Sequence, residues 1–115
     1  MGTQSHKAIY QKLQQLMGEL GADAPELMTA FGGLHQTAVA PGMLDAKTKE
    51  LIALGIAISV RCNGCIAFHV HDALESGASR AEIVETIGVA ILMGGGPSMV
   101  YGCEALEALQ EFSAK

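Results

Sequence analysis

The chain has 115 residues, half of them hydrophobic and 17% charged, with a formal net charge of -5. That length fits one domain, residues 1–115, around one core, and the composition excludes a disordered polymer. An acidic balance without a run of Lys or Arg excludes a nucleic-acid binder's basic stripe and attachment to an anionic membrane. The longest apolar run, Leu51 to Val60, falls well short of the ~18 residues a membrane span needs.

Aromatics supply only 4% of residues. The apolar volume comes from Ala, Leu, Ile, Met and Gly, a mixture suited to close helix packing and poor for a sheet. So few charges on so short a chain predict that apolar surface is covered by other subunits. The start, MGTQSHKAIYQK, lacks a signal-peptide core, and its Met-Gly has His6 where a myristoylation motif wants Ser or Thr. The cytoplasm is the expected compartment.

Taken in chain order, Ser5 caps a first helix to about Leu20, with Ile9, Leu13, Leu16, Met17 and Leu20 on one face and Gly21 past its end. Asp23 with Pro25 opens a second helix through Leu27, Met28 and Phe31, ending before Pro41-Gly42. Asp45 caps a third, Ala46 to about Val60. Beyond Glu50 it is apolar nearly all round and is expected as the central buried helix. A tight connection at Arg61 to Gly64 leads into a fourth helix, from Cys62 or Asn63 to Ser76, stopped by Gly77. Ser79-Arg80-Ala81-Glu82 reads as a capping box opening a fifth helix through Ile83, Ile87, Ile91 and Leu92. Gly94-Gly95-Gly96-Pro97 breaks it, and Pro97 starts a last helix ending near Phe112. The fold class is all-α, a bundle of five to six helices around a buried hairpin.

Three cysteines is an odd number, and two form Cys62-Asn63-Gly64-Cys65. In a reducing compartment such spacing points to redox or metal chemistry rather than a staple. At ~100° per residue, Cys62, Cys65 and His69 share a stripe ~60° wide, while His71 falls on the opposite side. Thiols three apart at a helix start can close a disulfide locally, and the open amides there favour a thiolate. His69, one turn below Cys65, is placed to take or return a proton. In a hairpin turning near Arg61, Glu50 lies ~15 Å and His69 ~10 Å below the turn, close enough in height to pair if their faces meet. The plainer reading leaves Glu50 as a solvated first-turn residue. A zinc site from Cys62, Cys65, His69 and His71 is disfavoured because His71 points away. Cys103 reads as a small buried hydrophobe, His6 and His35 as residues without companions, and the methionines as core filler.

The pattern Glu50-x11-Cys62-x2-Cys65-x3-His69, set in KTKELIALGIAISVRCNGCIAFHVHDAL and followed by MGGGPSMVY, resembles the alkylhydroperoxidase D family. That family lies within the carboxymuconolactone decarboxylase-like superfamily. The likeness runs from Asp45 through Tyr101. It implies a helical bundle of that family's kind and peroxidase activity through a Cys62–Cys65 disulfide cycle, with Glu50 and His69 moving protons. Cys65 would attack the hydroperoxide. Cys62, expected at the more exposed helix start, would resolve the product and exchange with a reductant, which the family suggests is a lipoyl protein or another dithiol. A homotrimer or homohexamer is implied and no cofactor or metal. Full-length enzymes resemble a duplication of this unit and often carry a histidine where this chain has Gly64. Two other readings remain open: a redox-switched oligomeric binding module, and a decarboxylase-like enzyme using Glu50 and His69.

Overall fold

Ser5, Asp45, Cys62 and Ser79 sit in extended backbone, each turning its side chain onto the amide three residues ahead. Such bonds satisfy amides that a helix start leaves open, so they locate four helix beginnings. The computed structural model describes residues 5–113. Its helices are α1 (His6–Asp23), α2 (Pro25–Val39), α3 (Ala46–Ser59), α4 (Asn63–Glu75), α5 (Arg80–Gly94) and α6 (Gly96–Ser113). No strand occurs among the described residues. The all-α reading holds. No described helix is long and apolar enough to cross a membrane.

The core is shared by α3, α4, α5 and α6. Leu54 and Ile58 meet Ile66 and Val70, with Ile83 and Ile87 on one side and Ala105, Ala108 and Leu109 on the other. Small residues let the helices close up. At Gly102 of α6 an added Cβ would lie 2.8 Å from Ile87 Cγ2, so α5 and α6 approach closely there. Gly95, between these helices at φ 70°, adopts a backbone that a side chain would strain. Ser79 and Glu82 form the anticipated capping box, each side chain bonded to the other's backbone amide at 3.1 and 2.8 Å.

Several boundaries and environments differ from expectation. Helix α1 runs through Gly21 to Asp23, because one glycine costs only about 1 kcal/mol. The break comes at Ala24, whose backbone is pushed out of the helical region by Pro25. Ala24, not Asp23, therefore precedes α2, with no side-chain cap. Helix α3 is buried on one side only: Ile52, Ile56 and Val60 are exposed, since α4 and α5 leave its outer face open. Leu92 is exposed on α5 for the same reason. Cys103 is exposed rather than buried, and Met17, Met43, Met93 and Met99 lie at the surface instead of filling the core. Met1 lies outside the described residues.

His6 is the largest departure. It is only 2% exposed, and its Nε2 lies 3.0 Å from both Glu104 Oε2 and Glu107 Oε1 of α6. Glu111 extends the tie by accepting the Lys7 amide at 3.0 Å. Carboxylates at the start of α1 complement its open amides and dipole, so this cluster straps the first helix to the last.

Helix α2 buries no residue at all. Leu27, Phe31 and Leu34 stand exposed on it, and Leu16, Met17 and Leu20 on neighbouring α1. Between α3 and α5 runs an apolar groove of about 460 Å³, lined by Ile52, Ile56, Val89 and Met93 among others.

Candidate active site

The site grows from the turn between α3 and α4. Arg61 there adopts φ 61°, a left-handed conformation that sterics disfavour for any residue with a Cβ. The turn is closed by the Cys62 amide donating to the Ala57 carbonyl at 3.1 Å. Cys62 thereby becomes the N-cap of α4, where its Sγ accepts the Cys65 amide at 3.2 Å. Cys62 and Cys65 are joined in a disulfide, their Cα atoms 5.2 Å apart. Cys65 is exposed and Cys62 half-buried, the reverse of the expected order. As N-cap, Cys62 has its Sγ turned onto the Cys65 amide.

Glu50 is not a solvated first-turn residue. It is 4% exposed, because it continues the buried stripe Glu50, Leu54, Ala57 and Ile58 that α3 turns to its neighbours. This spacing of four, three and one is the signal by which sequence alone places it inward. From there it meets His69, with Nδ1 at 2.8 Å from Oε1. A carboxylate oxygen accepts and the ring nitrogen donates, so Nδ1 carries the hydrogen. Nε2 of a neutral His69 is then left as the basic nitrogen. The carboxylate thus fixes tautomer and ring orientation one helical turn from Cys65.

His71 lies about 200° from His69 around α4. Its Nδ1 bonds Asp72 Oδ1 at 3.0 Å and its ring stacks on Tyr10, with centroids 4.4 Å apart. The cysteines and the two histidines are therefore not gathered around one point. Tyr10 also meets Phe68 and Phe112. Partial burial, together with Asp72 and Glu75 nearby, raises its phenol above the usual range.

Two residues escaped the sequence reading. His35 of α2 and Asp72 of α4 approach Glu50, so that one ligand atom from each of the three lies within 4.8 Å of the others. His6, Glu107 and Glu111 make a similar group. Either trio has the donor types to hold a cation, yet most of these atoms already have partners within the chain. Glu50 takes His69, Asp72 takes His71, Glu107 takes His6 and Glu111 takes the Lys7 amide. No sequence signal marks His35. Its distance from Glu50 depends on how α2 folds back on α3.

The model of the carboxymuconolactone decarboxylase family matches residues 25–108. A protein of that family from Legionella pneumophila superposes with a TM-score of 0.92 at 45% identity, covering 95% of this chain and 97% of that one. A family protein from Thermotoga maritima, for which involvement in the antioxidative response has been suggested, gives a TM-score of 0.80 at 29% identity. It covers 89% of this chain and 87% of its own. A protein of Cupriavidus necator is 36% identical over 103 residues, 90% of this chain and 91% of that one.

Proposed function

Since the chain belongs to the carboxymuconolactone decarboxylase family, we propose that it is a thiol-dependent peroxidase of that family, reducing alkyl hydroperoxides through a Cys62–Cys65 dithiol–disulfide cycle. One observation carries the reading: the buried Glu50, bonded to His69, stands with it one helical turn from a cysteine pair at a helix start. A decarboxylase-like use of Glu50 and His69 has no need of the thiols. The antioxidative role suggested for the Thermotoga relative supports the redox reading.

In the cycle, His69 Nε2 takes the Cys65 proton. The Cys65 sulfur attacks the terminal peroxide oxygen, an S–O bond forms, the O–O bond breaks, and the alkoxide leaves with the proton from His69 as an alcohol. The Cys62 sulfur then displaces the oxygen of the Cys65 sulfenic acid, forming the disulfide and releasing water. A dithiol reductant, such as a lipoyl protein, supplies two electrons and two protons to restore both thiols. The greater exposure of Cys65 as a residue favours it as the half of the disulfide that an incoming thiolate attacks. Cys62, holding the Cys65 amide at the helix N-cap, is the better-stabilised leaving thiolate. This route inverts the order of exchange expected from sequence, because the exposures are inverted.

The cycle fits the cytoplasm, where dithiol donors persist. The uncovered stripe Leu27, Phe31 and Leu34, with the α3–α5 groove, supports assembly into a homotrimer or homohexamer. The direct test is hydroperoxide consumption with dihydrolipoamide as donor. Wild type should turn over and Cys65→Ser should not. Turnover of another substrate surviving complete cysteine blocking would instead favour the decarboxylase-like reading.

A further inference from the structure

We propose that His35, carried on α2, is a positioning residue for the thiol site: its ring comes within 4.8 Å of both Glu50 and Asp72, outside hydrogen-bonding range, and its proximity keeps the Glu50 carboxylate directed at His69. The inference deepens the peroxidase reading and rests on it for its catalytic consequence. The physical coupling of His35 to the thiol is separable from that reading.

The need for such a residue follows from crowding. Glu50 is almost wholly buried, and a second carboxylate, Asp72, comes within 4.8 Å of it. Two carboxylates this close, one shielded from water, repel and would turn apart. That would loosen the 2.8 Å bond that orients His69. No lysine relieves the pair from the start of α3. Lys47 is engaged with Glu82 at 2.8 Å, and Lys49 donates to the Ala40 carbonyl at 2.6 Å. The groups facing the pair are imidazoles: His69 on Glu50, His71 on Asp72, and His35 within 4.8 Å of both carboxylates. Farther out, His71 also meets Glu75 at 3.9 Å and Tyr10 through its ring.

His35 differs from the other two imidazoles in reach. It is exposed, whereas Glu50 is buried and His69 half-buried. His35 thus reaches the buried Glu50 from an exposed position, while His69, itself partly exposed, lies one turn from Cys65. The His35 imidazole can carry the positive charge that offsets the two negative ones.

The test uses the full-length reduced protein in EDTA, so that a cation held by the same three side chains contributes nothing. Alkylation of Cys65 by iodoacetamide is followed against pH by peptide mass spectrometry for wild type, His35→Ala, His35→Gln and, as a neighbouring control, Thr37→Ala. For His35→Ala the profile should move to higher pH, with a rate near neutrality lower by about 3- to 10-fold, since a tenfold loss of thiolate is one pKa unit. His35→Gln, which keeps a donor, should fall between. The His69 Nδ1–H resonance should shift in both variants. Thr37→Ala should follow wild type in both readouts. Superimposable profiles for wild type and His35→Ala, or an equal shift in Thr37→Ala, would overturn the proposal. If the profile moves as expected while wild type consumes no hydroperoxide, the peroxidase reading fails and the positioning role stands.

Discussion

Among the described residues, two histidine–carboxylate clusters built from the same parts join one helix to another. His69 and Glu50 join α4 to α3, and His6 joins α1 to Glu104 and Glu107 of α6. The second is the more deeply buried at its imidazole, with an Nδ1 that has no hydrogen-bond partner. Burial therefore does not distinguish the candidate site from the strap. What differs is the neighbourhood. His69 shares a helix with a cysteine pair held at a helix start, and its ring is only partly covered. His6 is enclosed between two helices whose ends it pins. Proton chemistry needs a nucleophile to serve and a route to it. A buried ion-pair cluster without one is structure.

Substitution sharpens that contrast. Glu50→Gln should have the largest effect. It retains shape and hydrogen bonding but loses the charge that supports a protonated His69. Peroxide turnover should fall by ~10²-fold or more, the usual loss when general acid–base help is removed. The pH profile of Cys65 alkylation should move upward while circular dichroism stays unchanged. Turnover within a factor of about two of wild type would remove Glu50 from the relay, because that is far below the usual general acid–base contribution.

His6→Ala should do the reverse. It leaves the buried Glu104 without its donor, which costs about 1–3 kcal/mol of stability in urea titration. Turnover per folded molecule and the Cys65 alkylation profile should match wild type. A lowered rate in fully folded His6→Ala would mean that the two clusters are coupled across α4 and α6.

Arg61→Gly should have the smallest effect. Relief of a left-handed backbone is worth ~1–2 kcal/mol, and glycine's greater freedom in the unfolded chain gives back ~0.5–1 kcal/mol. The urea midpoint should therefore rise slightly, with Cys62 and Cys65 still forming their disulfide. A fall in stability would show that the Arg61 side chain, and not its backbone, secures the turn.

How much of this was legible beforehand follows the range of the interactions. Helix starts were readable because a cap acts on an amide three residues away, as at Ser5, Asp45 and Ser79. The Cys62, Cys65 and His69 stripe was readable because one helix carries all three residues. Glu50 was half legible. Its place on the apolar stripe of α3 pointed inward, but the partner it would meet depended on the hairpin closing. Boundaries at Gly21 and Asp23 were misread because a proline outweighed both the glycine and the candidate cap.

By itself, then, the sequence determined the helical class, most helix starts and the dithiol with its histidine, all governed by contacts within a few residues. Tertiary structure alone decided that His35 and Asp72 would converge on Glu50, and that His6 would be buried against α6 a hundred residues later. It also decided that Cys65 and not Cys62 would be the more exposed cysteine of the disulfide. Each of these depends on how whole helices are set against one another, through the summed fit of many apolar contacts. No local pattern encodes that sum.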